Sequence, residues 1–397
     1  MRLFSTYTKQ VFIVLFMTTT LFSLDFDSEF AAAQEEMLEM EAEFERTKLA
    51  QQNEFKTYSE TLQKEYDDYK NEINEFWRKP ELSSKRKWVS YSEDKQSRSK
   101  VDFQNNVIII EVIAPSQKKA EEKIKQRLGY VVSKNTQEVV ETDPLQRRIA
   151  QLKRQIPVVI DVKPILQNVI FEKQPTKNDV MQYTKNTVKK NKIKVRTSKL
   201  EHKNVYTMTV PLPKDTMLRK SKEYESEIVK NAQRFSIPIP LVFAIMHTES
   251  NFNPFAKSHI PAFGLMQIVP RSAGRDVYQY LFKKKGQPTA SYLYNGANNI
   301  EMGSTYLYIL YYRYLRKIKN PESRLYCSIA AYNTGAGNIA WAFTRKNNMN
   351  RAAPKINAMT PDEVYQHLLE NLKYDEPKHY LRRVKKRMSA YKKAYNL

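Results

Sequence analysis

The apolar residues of this chain change their spacing twice, and that change bounds the folds open to it. Phe55, Tyr58, Leu62, Tyr66, Tyr69, Ile73 and Phe76 follow one another at intervals of three or four, and Met37, Met40 and Phe44 extend the stripe backwards. This is the repeat of one long amphipathic helix, ended by Pro80, and such a stripe is ordinarily a packing face. From about Lys87 the period shortens. Val101, Phe103 and the run 107–112 predict two strands about Gln104-Asn105-Asn106, and 193–196 with 205–210 predict a second pair. Helical spacing or composition lies between them at 116–128, 143–155 and 176–189. The lysine-rich piece KNTVKKNKIKVR within this region reads as a solvated face. Residues 211–214 read as a linker. Helical patterns return at 224–235, 240–249, 300–316, 323–333, 361–372 and 378–395. The predicted class is α+β: an N-terminal helix and a small α+β domain, then a mostly α domain of about 180 residues.

A chain of 397 residues has room for two or three such units. The single cysteine, Cys327, excludes an internal disulfide and a thiolate metal cluster, and its apolar helical surroundings mark it as a small core residue. The formal net charge of +23 suggests a polyanionic partner, and the N-terminus narrows the choice. Arg2 and Lys9 precede an uncharged, mostly apolar run at 11–24, after which acids begin at Asp25. That order is expected of a secretory signal, cleaved near Ser23 or within 31–33, or else retained as an anchor. An exported chain does not meet nucleic acid. Residues 25–76 carry 16 acids against 5 bases, while 219–397 carry 29 bases against 12 acids, so the two ends present different surfaces. The expected divisions are a signal or anchor at 1–24, an acidic helical segment at 25–80, the α+β domain at 81–214 and the α domain at 215–397.

One acid stands out in the basic region. Glu249 follows the apolar run LVFAIMHT and is the sole carboxylate between Glu227 and Asp276. A helix C-terminus disfavours an anion, and burial behind an apolar helix raises a carboxyl pKa. A rise from about 4.3 to about 6 corresponds to roughly 2.3 kcal/mol. Such a group suits general acid catalysis, although by pattern alone a surface glutamate at a helix end is the commoner case. Glycosidases ordinarily need two carboxylates, and only one is in local reach. Two glycine turns, Gly264-Leu265-Met266-Gln267 and Tyr332-Asn333-Thr334-Gly335-Ala336-Gly337, set neutral hydrogen-bonding side chains beside it in sequence. Groups of this kind suit sugar hydroxyls and acetamides.

Four segments in this order, ESNFNPFAKS (249–258), AFGLMQIVP (262–270), NNIEMGSTYL (298–307) and AAYNTGAGNI (330–339), resemble the goose-lysozyme-like catalytic domain of soluble-lytic-transglycosylase-type enzymes. Trp77 and KWVSYSEDKQSRSKVDFQNNVIIIEV (87–112) are similar to the N-terminal domain of the membrane-bound lytic murein transglycosylase C family. The resemblance implies a lysozyme-like α domain and peptidoglycan as partner. It implies Glu249 as the single acid and base, protonating the β-1,4 bond between N-acetylmuramic acid and N-acetylglucosamine. The muramoyl 6-hydroxyl would then attack, giving a 1,6-anhydro end without water. Ser258, Met266 and Gln267 match positions near the glutamate and sugar, Tyr332 and Asn333 a pair opposite it, and Tyr380 a tyrosine completing the site. For Ser258 and Tyr380 a helix cap and a packing aromatic are the alternatives. His247 and His259 match no catalytic position, and no cofactor or metal is expected. Members of the family are anchored through a cysteine just after the signal, which this sequence lacks, so lipid attachment is not expected. Membrane association through residues 11–24 and pairing of the 34–76 helix with a protein partner stay open. Two other readings are a hydrolytic muramidase, with Asp276 as second carboxylate, and a non-catalytic peptidoglycan-binding scaffold.

Overall fold

Among the residues described in a computed structural model of this protein, five strands in the order β1-β2-β3-β5-β4, all antiparallel, form one sheet. The structure describes residues 57, 60–61, 63–152, 161–256 and 262–397. All of them belong to one unit, Phe55–Leu397, distinct from Met1–Glu54. The expected signal and the front of the acidic helix lie outside the described residues, as do Ser258 and His259.

The strands are β1 (Lys87–Tyr91), β2 (Ser97–Asp102), β3 (Val107–Ala114), β4 (Ile193–Thr197) and β5 (Asn204–Pro211). The two predicted pairs are present. Asp102 faces Val107 across the turn at 103–106, and β5 lies along β3 with Ile110 opposite Met208. Period-two alternation then sends Ile108, Ile110 and Val112 to one face, where Ala120, Ile124, Leu128 and Val131 of the Gln117–Ser133 helix cover them. On the other face Val89, Tyr91, Ile113 and Val205 receive Tyr66, Tyr69 and Ile73 from the helix at 63–76 and Trp77 just after it. The described part of the acidic stripe is therefore a packing face. Strand β1 was not legible as such, because both of its faces are covered and KWVSY shows no clean alternation. The lysine-rich piece ends in edge strand β4, whose Lys194, Val195, Arg196 and Thr197 are exposed; cations on an edge discourage pairing with another chain.

The second core is built around the Ile239–Ser250 helix. Leu241 to Met246 are each at most 1% exposed, so the helix is apolar all round and central. Pro240 sits in its first turn, where the missing N–H costs nothing. The helices Glu225–Arg234, Gly296–Tyr308, Pro321–Thr334 and Asp375–Ala394 surround it. The run read as one helix at 300–316 starts earlier, at Gly296, and gives way to a π-helical turn over Ile309–Tyr314. Shorter helices at Thr216–Lys222, Arg275–Phe282, Ala336–Thr344 and Met349–Asn357 had no readable stripe of their own. The stretch read as a linker is built in: Pro211 ends β5, Leu212 is 6% exposed, and Met217 touches both cores.

Candidate active site

The two cores meet at the C-terminal end of the Ile239–Ser250 helix. Asn251 and Phe252 both adopt left-handed backbone, with φ of 52° and 56°, which turns the chain sharply away after Ser250. Asn251 donates its side-chain amide to the Phe103 carbonyl at 3.2 Å, and fully buried Asn253 donates to the carbonyls of Ser84 at 3.2 Å and Lys85 at 3.4 Å. Phe255 packs on Trp88 with ring centroids 5.6 Å apart. Arg86 donates to the Thr248 carbonyl at 3.4 Å and to Gln104 at 3.1 Å. The sheet domain thus grips the residues on both sides of Glu249.

Glu249 lies in the last turn of the helix and is 7% exposed. Burial raises its pKa above the ordinary carboxylate value, the charge of Glu376 adds to that rise, and Lys85 and the Tyr380 hydroxyl oppose it. The Lys85 ammonium stands 3.6 Å from the carboxylate. Tyr380, on the Asp375–Ala394 helix, is 1% exposed; its hydroxyl is near enough to bias Glu249 but closes no hydrogen bond with it.

The loop before residue 270 is a tight turn. Phe263 and Ile268 exchange backbone hydrogen bonds at 3.0 Å each, and Gly264 and Gln267 take φ of 73° and 51°. A Cβ at Gly264 would come within 2.3 Å of the Asn299 amide, so only glycine fits. Asn299 fastens this turn. Its Oδ1 accepts from the Met266 N–H at 2.7 Å, and its Nδ2 donates to the carbonyls of Phe263 and Leu293 at 2.8 and 2.9 Å. The Met266 side chain is fully buried against Gly303, while its carbonyl accepts the Tyr332 hydroxyl at 3.0 Å. Gln267 donates to the Gly264 carbonyl at 2.8 Å and leaves its buried Oε1 without a partner.

Tyr332 and Asn333 lie half-buried in the last turn of the Pro321–Thr334 helix. The phenol of Tyr332 is pushed well above its ordinary pKa, chiefly by burial and next by the charge of Glu249. Gly335, with φ of 85°, turns the chain into the next helix. Glu249, Tyr332 and Tyr380 are therefore neighbours, and the Tyr332 hydroxyl ties Met266 and the Gln267 turn to them.

Four residues were missed by sequence reasoning. Asn299 lay within a recognised segment but without an assigned task, and Lys85 and Arg86 sat in a basic run, KRK, with nothing to mark them. Glu376 is the other: it, rather than Asp276, is the acid whose charge reaches Glu249. Asp276 accepts from Tyr314 at 2.9 Å and acts on Tyr306. His247 Nδ1 and the Tyr391 hydroxyl share a hydrogen bond at 3.0 Å, and the His247 pKa is lowered to about 3 by burial and then by Arg387 and Arg86. Cys327 is fully buried in the core. Among the described residues, no three His, Cys, Asp or Glu side chains are grouped as a metal would require.

The model of the family described as "Transglycosylase SLT domain" matches residues 226–355. The membrane-bound lytic murein transglycosylase C of Sodalis glossinidius is 40% identical over 51% of this chain and 55% of its own length, so the match spans about half of that relative. The protein of the same name from Salmonella arizonae is 31% identical over 82% of this chain and 88% of its own length. Among solved structures, the 70 kDa soluble lytic transglycosylase of Escherichia coli is 24% identical over 46% of this chain and 25% of its own, with a TM-score of 0.35. From its sheet domain through its SLT domain, the chain belongs to the membrane-bound lytic murein transglycosylase C family.

Proposed function

We propose that this protein is a lytic transglycosylase of the cell envelope, cleaving the β-1,4 bond between N-acetylmuramic acid and N-acetylglucosamine in peptidoglycan. The observation that carries the reading is the buried carboxylate of Glu249, held towards its protonated form beside tyrosines and neutral amides, with Lys85 as its ion-pair partner.

Protonated Glu249 gives its proton to the glycosidic oxygen as the bond from that oxygen to C1 of the muramoyl ring breaks. The resulting carboxylate takes the proton of the muramoyl 6-hydroxyl while O6 bonds to C1. The products are a 1,6-anhydromuramoyl end and a free 4-hydroxyl on N-acetylglucosamine, and Glu249 is again protonated. No water enters. Gln267, with its unpartnered Oε1, and Asn333 are the candidate sugar-binding amides, and Tyr332 and Tyr380 wall the carboxylate on its other sides. Met266 serves through its carbonyl, which fixes Tyr332. Ser258 is proposed beside them from its place in ESNFNPFAKS.

The basic catalytic region, with 29 bases against 12 acids over 219–397, favours a polymer whose stem peptides carry carboxylates. The N-terminal apolar run at 11–24 fits export, with or without retention at the membrane. Among the described residues no helix is long and apolar enough to cross a membrane.

One observation favours a second reading. Glu376 is close enough to influence Glu249, and a second carboxylate is what a hydrolase uses to activate water. Digestion of purified peptidoglycan in ¹⁸O-labelled water separates the two. Muramoyl ends one water lighter and free of label support the transglycosylase; reducing ends carrying ¹⁸O establish hydrolysis and turn attention to Glu376.

A further inference from the structure

Lys85 comes from the sheet domain, far up the chain from Glu249, yet it is the one side chain among the described residues that forms an ion pair with that carboxylate. Its position is constructed. Ser84 and Lys87 form an isolated β-bridge, with the Ser84 N–H donating to the Lys87 carbonyl at 2.9 Å, so Lys85 and Arg86 occupy the tip of a tight turn. The buried amide of Asn253, four residues past Glu249, holds the carbonyls of Ser84 and Lys85. The Arg86 guanidinium bridges the Thr248 carbonyl and Gln104. Neighbours on both sides of the lysine are thereby tied to neighbours on both sides of the glutamate.

We propose that Lys85 is a positioning residue of the active site: the sheet domain holds its ammonium against Glu249 to stabilise the carboxylate that forms when the proton is given to the substrate. This rests on the acid role of Glu249 proposed above. The groups facing Glu249 are few. The Asp375–Ala394 helix brings Tyr380 and Glu376, with Arg383 paired to Glu376 at 3.6 Å and Arg387 donating to the Thr248 hydroxyl at 2.8 Å; the Pro321–Thr334 helix brings Tyr332, and the turn brings Lys85 and, at longer range, Arg86. On its own helix His247 is engaged with Tyr391. Glu376 and burial both oppose the anion, neither tyrosine bears a charge, and Arg383 and Arg387 are engaged with Glu376 and Thr248, so the cation paired with Glu249 itself comes from the sheet domain. Of its two cations, Arg86 is committed to the Thr248 carbonyl and Gln104, whereas the Lys85 side chain is 41% exposed and pairs with Glu249 alone. An oriented charge beside developing charge is the arrangement that lowers a barrier without reorganisation.

The test is the pH–rate profile of peptidoglycan cleavage by the full chain carrying Lys85→Met and Lys85→Arg. Loss of the cation favours protonated Glu249. The basic limb of the Lys85→Met profile should therefore move up by about one pH unit, while the plateau falls about tenfold. Lys85→Arg should restore both towards wild type, and the thermal midpoints of all three proteins should agree. A Lys85→Met profile superposing on wild type overturns the proposal, as does a lowered plateau with an unmoved limb. Titration of the Glu249 carboxyl by ¹³C NMR, assigned with Glu249→Gln, asks the same question without turnover: the midpoint must rise in Lys85→Met. That readout keeps the proposal separate from the transglycosylase reading, since wild-type reducing ends would overturn the latter alone.

Discussion

Replacing Asn299 with alanine should damage both the stability and the chemistry of the SLT domain, by an amount the structure sets. Asn299 is fully buried and makes three hydrogen bonds: it accepts from Met266 at 2.7 Å and donates to Phe263 and Leu293 at 2.8 and 2.9 Å. Alanine leaves the Met266 N–H without its acceptor and takes a donor from two carbonyls. At about 1–3 kcal/mol for an abandoned buried donor, and about 1 kcal/mol for each carbonyl bond lost, the total is about 3–5 kcal/mol. That is a large share of the usual 5–15 kcal/mol of a folded protein, about 5–15 being the range for domains generally. Urea denaturation should show an earlier midpoint with an unchanged slope, and the thermal midpoint should fall by about 10 °C for a domain of this size. Activity measured well below that midpoint should also drop, because the same turn presents the carbonyl that fixes Tyr332. A destabilisation under about 1 kcal/mol would refute the reasoning, since it would mean that the turn holds itself without Asn299.

Two further perturbations bear on the same framework. A Cβ at Gly303 would lie 2.3 Å from the Met266 sulfur, so Gly303→Ala should force that side chain aside, costing about 1–3 kcal/mol by denaturation and lowering turnover more than substrate binding. His247 should contribute stability that rises with pH between about 3 and about 6.5, because it refuses a proton in the folded protein down to about 3 while the unfolded chain accepts one below about 6.5; Glu223, pushed up to about 7 by burial, works in the opposite sense between about 4.5 and about 7. With the ring partly exposed, the contribution should be about 2 kcal/mol, and His247→Gln should remove it, lowering the slope of stability against pH across that range relative to wild type.

Much of this architecture was legible because it is local. The alternation in 107–112 and 205–210 placed β3 and β5, and the unbroken apolar run before Glu249 announced a central helix ending in a carboxylate. Period fails where an element is covered on both faces, as in β1, or is too short to complete a stripe, as in Thr216–Lys222. Pairings between distant segments leave no local signal either. Lys85 is an ordinary lysine in a basic run until Asn253 and Arg86 bring its turn against Glu249, and Asn299 is one of two adjacent asparagines until the Gly264 turn folds onto it. The helix C-terminus and burial were both legible at Glu249, whereas the opposing lysine and the assisting Glu376 were not. Glu376 displaced Asp276 as the acid to watch because the first turn of a distant helix, rather than the next acid in sequence, is what packs against the site.

The central claim is that one side chain, Glu249, delivers and retrieves the proton. Glu249→Gln keeps the shape and the hydrogen-bonding atoms of the site but cannot give up a proton. Counting the new muramoyl ends released from purified peptidoglycan per unit time, wild type against Glu249→Gln, tests that claim directly. The account predicts a loss of about 10²–10⁴-fold with an unchanged thermal midpoint; a Glu249→Gln protein that cleaves within a few-fold of wild type would contradict it.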